Sequence, residues 1–154
     1  YFDFDNFKPF NDYYGYRQGD RAIMLFAELL RKKLGEGREN FLGHVGGDDF
    51  FAGIEKFSFE EAEEEVRNLR ELFTRDVESF YGAKAREEGG IRAKDRDGRP
   101  AFFSMLTISA AVIHIPADRE PCSLDELSRL IARVKKQSKS SSDGISAVTL
   151  SCTT

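Results

Sequence analysis

Apolar positions along this chain recur at two periods, near 3.6 and near 2, and the switches between them mark out the elements. Residues 1–4, YFDF, are short and aromatic and predict a strand ending near Asp5. Residues 6–15, NFKPFNDYYG, predict a short helix, with Pro9 tolerated in a first turn and Gly15 as its stop. Over 17–34, Ile23, Phe26, Ala27, Leu30 and Leu34 fall on one helical face. RKK lies near the end of that stretch, where the helix dipole favours cations. GEGREN, 35–40, reads as a loop, and FLGHV and FFAGI then flank GGDD as a hairpin.

Ser58 and Glu61 form a capping-box pattern, and Ala62, Val66, Leu69, Phe73, Val77 and Phe80 continue it at helical period. This predicts a long helix to about residue 82, broken by AREEGG. GIRAK and RPAFFSMLTISAAVIHI predict strands joined by a turn around DRDG, because Asp-Gly is a strong hairpin signal. The second is too long for one uniformly buried strand and is expected to bend. Ser123 with Glu126 caps a further helix with Leu124, Leu127, Leu130, Ile131 and Val134 inward. KSSSDG, 139–144, is a polar turn, and ISAVTL, 145–150, a last strand. Mixed strands and helices with at least one hairpin predict an α+β domain, its sheet mostly antiparallel and flanked by helices.

The 154 residues suit one domain with ample core material, including 14 Phe and 5 Tyr. The opening on YFDFD, inside or just before a strand, predicts that 1–154 is a single domain cut from a longer protein. No apolar run approaches the roughly 20 residues of a membrane span, and no signal peptide is visible. The net charge of −4 disfavours indiscriminate nucleic-acid binding but permits a nucleotide held through metal ions. Cys122 and Cys152 show no CxxC spacing and no metal-like pairing with His44 or His114, so they read as free thiols and zinc is not expected.

The candidate chemistry is carboxylate. Alternation puts Asp3 and Asp5 on one face of the first strand. If that strand lies beside the GGDD hairpin, Asp3 and Asp48 converge at one edge of the sheet. Clustered carboxylates repel unless a cation sits among them, and oxygen ligands without His or Cys favour Mg²⁺ or Mn²⁺. Such ions arrive with triphosphates and steer an oxygen nucleophile onto phosphorus. Gly46 and Gly47 permit positive φ and a close approach of backbone to phosphate or base. Taken alone, GGDD equally suits an ordinary hairpin turn, and Asp5 equally suits a helix N-cap.

DFDNFKPFNDYYGYRQGD (3–20), taken with GGDDF (46–50), resembles the GGDEF domain family, the diguanylate cyclases. That family's pattern is roughly D-x-D-x-F-K-x-x-N-D-x-x-G-H-x-x-G-D, then about two dozen residues, then G-G-(D/E)-E-F. LTISAAV stands where the family has a T-x-S-x-G-V strand, so the likeness covers nearly the whole chain. The GHVGGDDFF variant and the AKDRDGRP hairpin look most like the members attached to EAL and CBS modules.

The resemblance implies a fold like nucleotide cyclases and polymerase palms, with a ferredoxin-like core. It implies condensation of two GTP into cyclic di-GMP across a homodimer of facing subunits. Asp3, Asp48 and the Phe4 carbonyl would ligate Mg²⁺. Asp49 would help hold a second metal and assist deprotonation of the ribose hydroxyl. Lys8 and amides around Phe7 would meet the triphosphate over the floor made by Gly46 and Gly47. Asn11 and Asp20 would read guanine, whose carbonyl and N–H groups an amide and a carboxylate together satisfy. Lys8, Asn11 and Asp20 also suit a solvated lysine, a surface helix position and an N-cap. The implied setting is cytoplasmic, in a parent that can be membrane-anchored, with attached sensor, EAL or CBS domains, no nucleic acid and no direct membrane contact.

Three departures stand out. The late helix carries IARVKKQSKSSSDG in place of the family's A-L-Y-x-A-K-x-x-G-R-N. Lys139 is the nearest match to its phosphate-binding lysine and Lys136 the alternative, and the following arginine would be Asp143 or Ser140, a missing cation. Lys135, Lys136 and Lys139 also suit a solvated, dipole-complementing helix end. The family's inhibitory R-x-x-D pattern is absent, with Gly37 and Asn40 at its positions and Arg38 out of register, so no inhibitory site is expected. Asp49 replaces the family's Glu and is one methylene shorter, and a displacement of about 1 Å can cost on the order of a hundredfold in rate.

Overall fold

In the computed structural model of the chain, residues 1–35, 40–55, 57–118 and 122–150 are described. The first strand, β1 (Phe2–Asp5), buries Phe2 and Phe4 and turns Asp3 and Asp5 to its other face, as period-2 alternation requires. Asn6 follows with φ of 62°, a left-handed conformation that Asn tolerates, and its side-chain amide ties to Ser104. That bend starts α1 (Phe7–Tyr14) at once, so the N-cap is Asn6 and Asp5 is free for another task. α2 (Tyr16–Leu34) begins one residue earlier than expected, which places Asp20 inside the helix and removes it from the N-cap position.

β2 (Phe41–Gly46) and β3 (Asp49–Gly53) form the expected hairpin, with Gly46 and Gly47 at φ of 139° and 56° in its turn. The Ser58–Glu61 capping box opens α3 (Phe59–Val77). This helix stops short of residue 82. A 3₁₀ turn (Glu78–Phe80) follows, and Tyr81 becomes extended, buries its ring and accepts the Leu106 amide proton at 2.8 Å. The AREEGG segment, read as a breaker, forms the helix α4 (Ala83–Glu88), closed by Gly89 at φ of 76°.

β4 (Gly90–Lys94) and β5 (Pro100–Ser104) pair as a separate two-stranded hairpin. The long apolar run breaks at Met105–Leu106, and β6 (Thr107–His114) enters the main sheet. Ser123 caps α5 (Leu124–Ser140), which runs into the segment read as a polar turn, and β7 (Ile145–Thr149) ends the described chain.

The main sheet has the order β2-β3-β1-β6-β7. Its first three pairings are antiparallel, and β6–β7 is parallel because α5 carries the chain back across the sheet between them. The fold is thus α+β with a mixed sheet. On one face, Phe2, Phe4, Phe26, Phe50 and Phe73 interlock with α2 and α3, ring centroids of Phe4–Phe73 and Phe26–Phe50 lying 4.9 and 5.0 Å apart. On the other face Leu130 and Val134 of α5 pack over Ala111 and Leu150, with Tyr1 beside them. Among the described residues no helix is long and apolar enough to cross a membrane.

Candidate functional site

Three strands and one helix build the site. Because alternate residues of β1 share a face, Asp3 and Asp5 point away from the Phe core and toward α5. β3 pairs Asp49 directly with Asp3, and Phe50 next to it enters the Phe core while Asp49 stays with the carboxylates. Asp48, from the hairpin turn, is near enough for the charges of Asp3 and Asp49 to act on its carboxyl. The expected convergence of Asp3 with the GGDD turn is therefore present in the fold.

Two ammonium groups descend onto these carboxylates from the last turns of α5. Lys135 Nζ reaches Asp49 Oδ1 at 2.8 Å and Asp3 Oδ2 at 3.5 Å. Lys139 Nζ reaches Asp3 Oδ2 and Asp5 Oδ1, each at 2.8 Å, and donates to the Phe4 carbonyl at 3.1 Å. Residues four apart share a helix face, so Lys135 and Lys139 act together and Lys136 turns out to solvent. The lysine that composition made look like solvated helix end, Lys135, is a member of the site. Its spacing from Lys139 was the available signal.

The electrostatics follow from this packing. Burial opposes charge on both lysines, but hydrogen bonds to the aspartates and their negative charge outweigh it and hold both ammoniums above the usual lysine range. Burial raises the Asp48 carboxyl, and the nearby Asp3 and Asp49 charges raise it further. Four carboxylates face two ammoniums, leaving an excess of negative charge that a divalent cation would balance.

The donor chemistry fits a hard cation: Asp3, Asp48, Asp49 and the Phe4 carbonyl offer oxygen alone. Among the described residues no three carboxylate, imidazole or thiol groups are already gathered as a metal cage. Asp3 and the Phe4 carbonyl are held by Lys139, which stands where a cation has its donors.

The remaining candidates lie around α1. Phe7 packs edge-on against Phe4, fixing the start of the helix beside the site. Lys8 is largely exposed and pairs with Asp12 one turn on. Asn11 turns its amide onto Gly19 of α2, and its buried Oδ1 has no hydrogen-bond partner. A Cβ at Gly19 would lie 1.8 Å from that oxygen, so the glycine is the seat of the Asn11 side chain. Asp20, next along α2, is exposed. His44 Nε2 donates to the Gly47 carbonyl, 2.9 Å away, and the ring stacks on Phe50, bracing the turn. Of the residues tied to the inhibitory reading, Gly37 and Arg38 lie outside the described residues, as does Cys152. Asn40 donates to the Leu34 carbonyl at 2.9 Å. Cys122 is a free thiol.

Sequence reasoning gave no role to Thr107 and Ser109, yet both donate to Asp5 from β6, each at 2.7 Å. Their alternation in LTISAAV was the visible sign.

Residues 1–89 match the family described as "Diguanylate cyclase, GGDEF domain". A diguanylate cyclase of Vibrio cholerae is 32% identical over 71 residues, 46% of this chain and 22% of the relative. The diguanylate cyclase DgcP of Pseudomonas aeruginosa is 32% identical over 68 residues, 44% of this chain and 10% of the relative. The chain thus spans a small part of these relatives' length. Two solved structures share the fold. The GGDEF domain of DgcB from Caulobacter crescentus in complex with c-di-GMP has a TM-score of 0.61 at 19% identity, over 95% of this chain and 74% of that one. The active GGEEF domain of a Vibrio cholerae diguanylate cyclase has a TM-score of 0.56 at 16% identity, over 99% and 81%. With its family match running across more than half its length, through both acidic motifs, this chain belongs to the GGDEF domain family.

Proposed function

We propose that this domain binds GTP with Mg²⁺ (or Mn²⁺) and, as one half of a two-fold pair, joins two GTP into cyclic di-GMP. The ribose 3′-hydroxyl of each nucleotide attacks the α-phosphate of the other, and two pyrophosphates leave. The observation that carries this reading is the convergence of Asp3, Asp48 and Asp49 at one sheet edge beneath two lysines. Asp3, Asp48 and the Phe4 carbonyl would hold the cation, with Asp49 at a second metal position. Bound there, the cation would neutralise triphosphate charge and make the 3′-hydroxyl more acidic.

The chain's own groups do the rest. Once a cation takes over Asp3, Asp48 and Asp49, Lys135 and Lys139 turn the donors those acids held toward phosphate oxygens, and Lys8 approaches from α1. The Phe7 and Lys8 amides lie in the first turn of α1, which has no side-chain cap, and a helix N-terminus favours phosphate. Gly46 and Gly47, at positive φ and without Cβ, leave room under the nucleotide. Asn11 and Asp20 read the guanine edge. The domain acts inside a longer cytoplasmic signalling protein whose other parts bring two copies together.

A second reading has its own observation. Asp49 is the shorter acid and is paired with Lys135 at 2.8 Å, which favours holding GTP over turning it over. On that reading the domain is a GTP-binding regulator of an attached phosphodiesterase. Incubating a dimerised form with GTP and Mg²⁺ or Mn²⁺, and searching for cyclic di-GMP by mass, separates the two. Product that vanishes in Asp48→Ala supports the cyclase. No product, with GTP still bound, supports the regulator.

A further inference from the structure

Asp5 is a strand carboxylate on the face of the sheet that carries the site, and neither a metal nor a substrate group has been assigned to it. Its surroundings are more built than those of the other acids. Thr107 lies directly opposite it on β6, and Ser109 lies on the diagonal. Thr107 Oγ1 donates to Oδ2 and Ser109 Oγ to Oδ1, each at 2.7 Å, and Ser109 is only 2% exposed. Both carboxylate oxygens are thereby fixed flat against the sheet, and the approach left open is from α5. Lys139 fills it at 2.8 Å.

We propose that Asp5, braced by Thr107 and Ser109, is the positioning residue that seats Lys139 at the phosphate end of the site. The inference rests on the GTP reading above and adds a task for a carboxylate that reading leaves idle. An ammonium has three N–H donors, and those of Lys139 go to Asp3, Asp5 and the Phe4 carbonyl. A cation taken up by Asp3 and Phe4 would claim two of these acceptors. Asp5 is the one that remains. It keeps Lys139 anchored while the other two donors turn to phosphate, so the long side chain is not left to find the triphosphate from an unrestrained ensemble.

The test uses the full chain with Mn²⁺ and compares GTP with guanosine, which lacks phosphate. Asp5→Asn keeps the shape of the side chain and removes its charge. It should weaken GTP about tenfold, the order expected for loss of one charge-assisted anchor, and leave guanosine within about twofold. Thr107→Val, which keeps Asp5, should fall partway, and Thr107→Ser should recover what Thr107→Val loses. In the nucleotide-free protein with Mg²⁺ added, so that Asp3 and the Phe4 carbonyl are claimed by the cation, nitrogen-resolved NMR should show the Lys139 ammonium in the wild type and not in Asp5→Asn. Equal weakening of both ligands with the ammonium signal intact would make Asp5 merely structural and overturn the proposal, as would unchanged GTP affinity. A wild type that binds no GTP would defeat the functional reading alone, and the ammonium signal would still decide whether Asp5 holds Lys139.

Discussion

Gly19→Ala is a substitution whose consequences can be worked from the structure. In an ordinary helix interior it should stabilise, since Ala is about 1 kcal/mol better than Gly there. Gly19 is not ordinary. A Cβ on it would stand 1.8 Å from Asn11 Oδ1, 2.8 Å from Cγ and 3.2 Å from Nδ2, and the first two are closer than side-chain carbons come. The yielding atoms belong to a side-chain end, so Asn11 rotates and the helices stay in place. Forcing such a rearrangement costs about 1–3 kcal/mol, partly offset by the helix gain, so net destabilisation should stay below about 2 kcal/mol. The functional cost is separate. If Asn11 reads guanine as proposed, moving its amide removes a hydrogen bond worth about 1–1.5 kcal/mol, or roughly tenfold in GTP affinity, with ATP little changed. Urea unfolding and nucleotide titrations measure the two effects. The reasoning also requires non-additivity: in an Asn11→Ala background, Gly19→Ala should cost GTP binding nothing further. An equal loss in both backgrounds would show that the glycine acts by another route.

Other expectations follow from the same contacts. Lys139→Met frees Asp3 and the Phe4 carbonyl from a competing ammonium, so Mn²⁺ alone should bind up to about fivefold tighter while Mn²⁺-dependent GTP binding weakens; looser Mn²⁺ binding in a metal titration would refute the competition. Phe73→Ala removes a fully buried ring packed on Phe4 and Phe26 and should cost about 3–5 kcal/mol, read from urea unfolding. Tyr81→Phe leaves the buried Leu106 amide without its acceptor and should cost about 1–3 kcal/mol; a neutral result would mean that amide finds another partner. Burial raises the Tyr81 phenol above its ordinary 10.0. The unfolded chain therefore ionises it first, and its contribution to stability is complete below pH 10 and lost as pH rises beyond. In Tyr81→Phe that part of the alkaline loss should disappear.

Much of this arrangement was legible in the residues because it rests on local periodicity. Alternation in YFDF gave the shared face of Asp3 and Asp5, and the capping patterns at Ser58 and Ser123 marked true helix starts. What escaped depended on contacts distant in sequence. The long helix stopped at Val77 because Tyr81 had a buried position and a partner 25 residues on, which no helical period reveals. The parallel β6–β7 pair depends on where α5 crosses the sheet. At the site, Asp3 and Asp48 could be brought together by assuming one strand neighbour. Lys135 needed the docking of α5 onto β1 and β3, and without it three nearby lysines look alike. The polar pair on β6 was hidden for the same reason, since Thr and Ser in a strand are ordinary until a carboxylate is found opposite them.

The central claim is that the acids beneath Lys135 and Lys139 receive GTP through a divalent cation. The most direct measurement is calorimetric titration of GTP into the wild-type chain with Mn²⁺ and again with the metal chelated, alongside Asp48→Ala. The account predicts micromolar binding with Mn²⁺ and at least about a tenfold loss both on chelation and in the variant. GTP binding that is indifferent to metal and to Asp48 would contradict it.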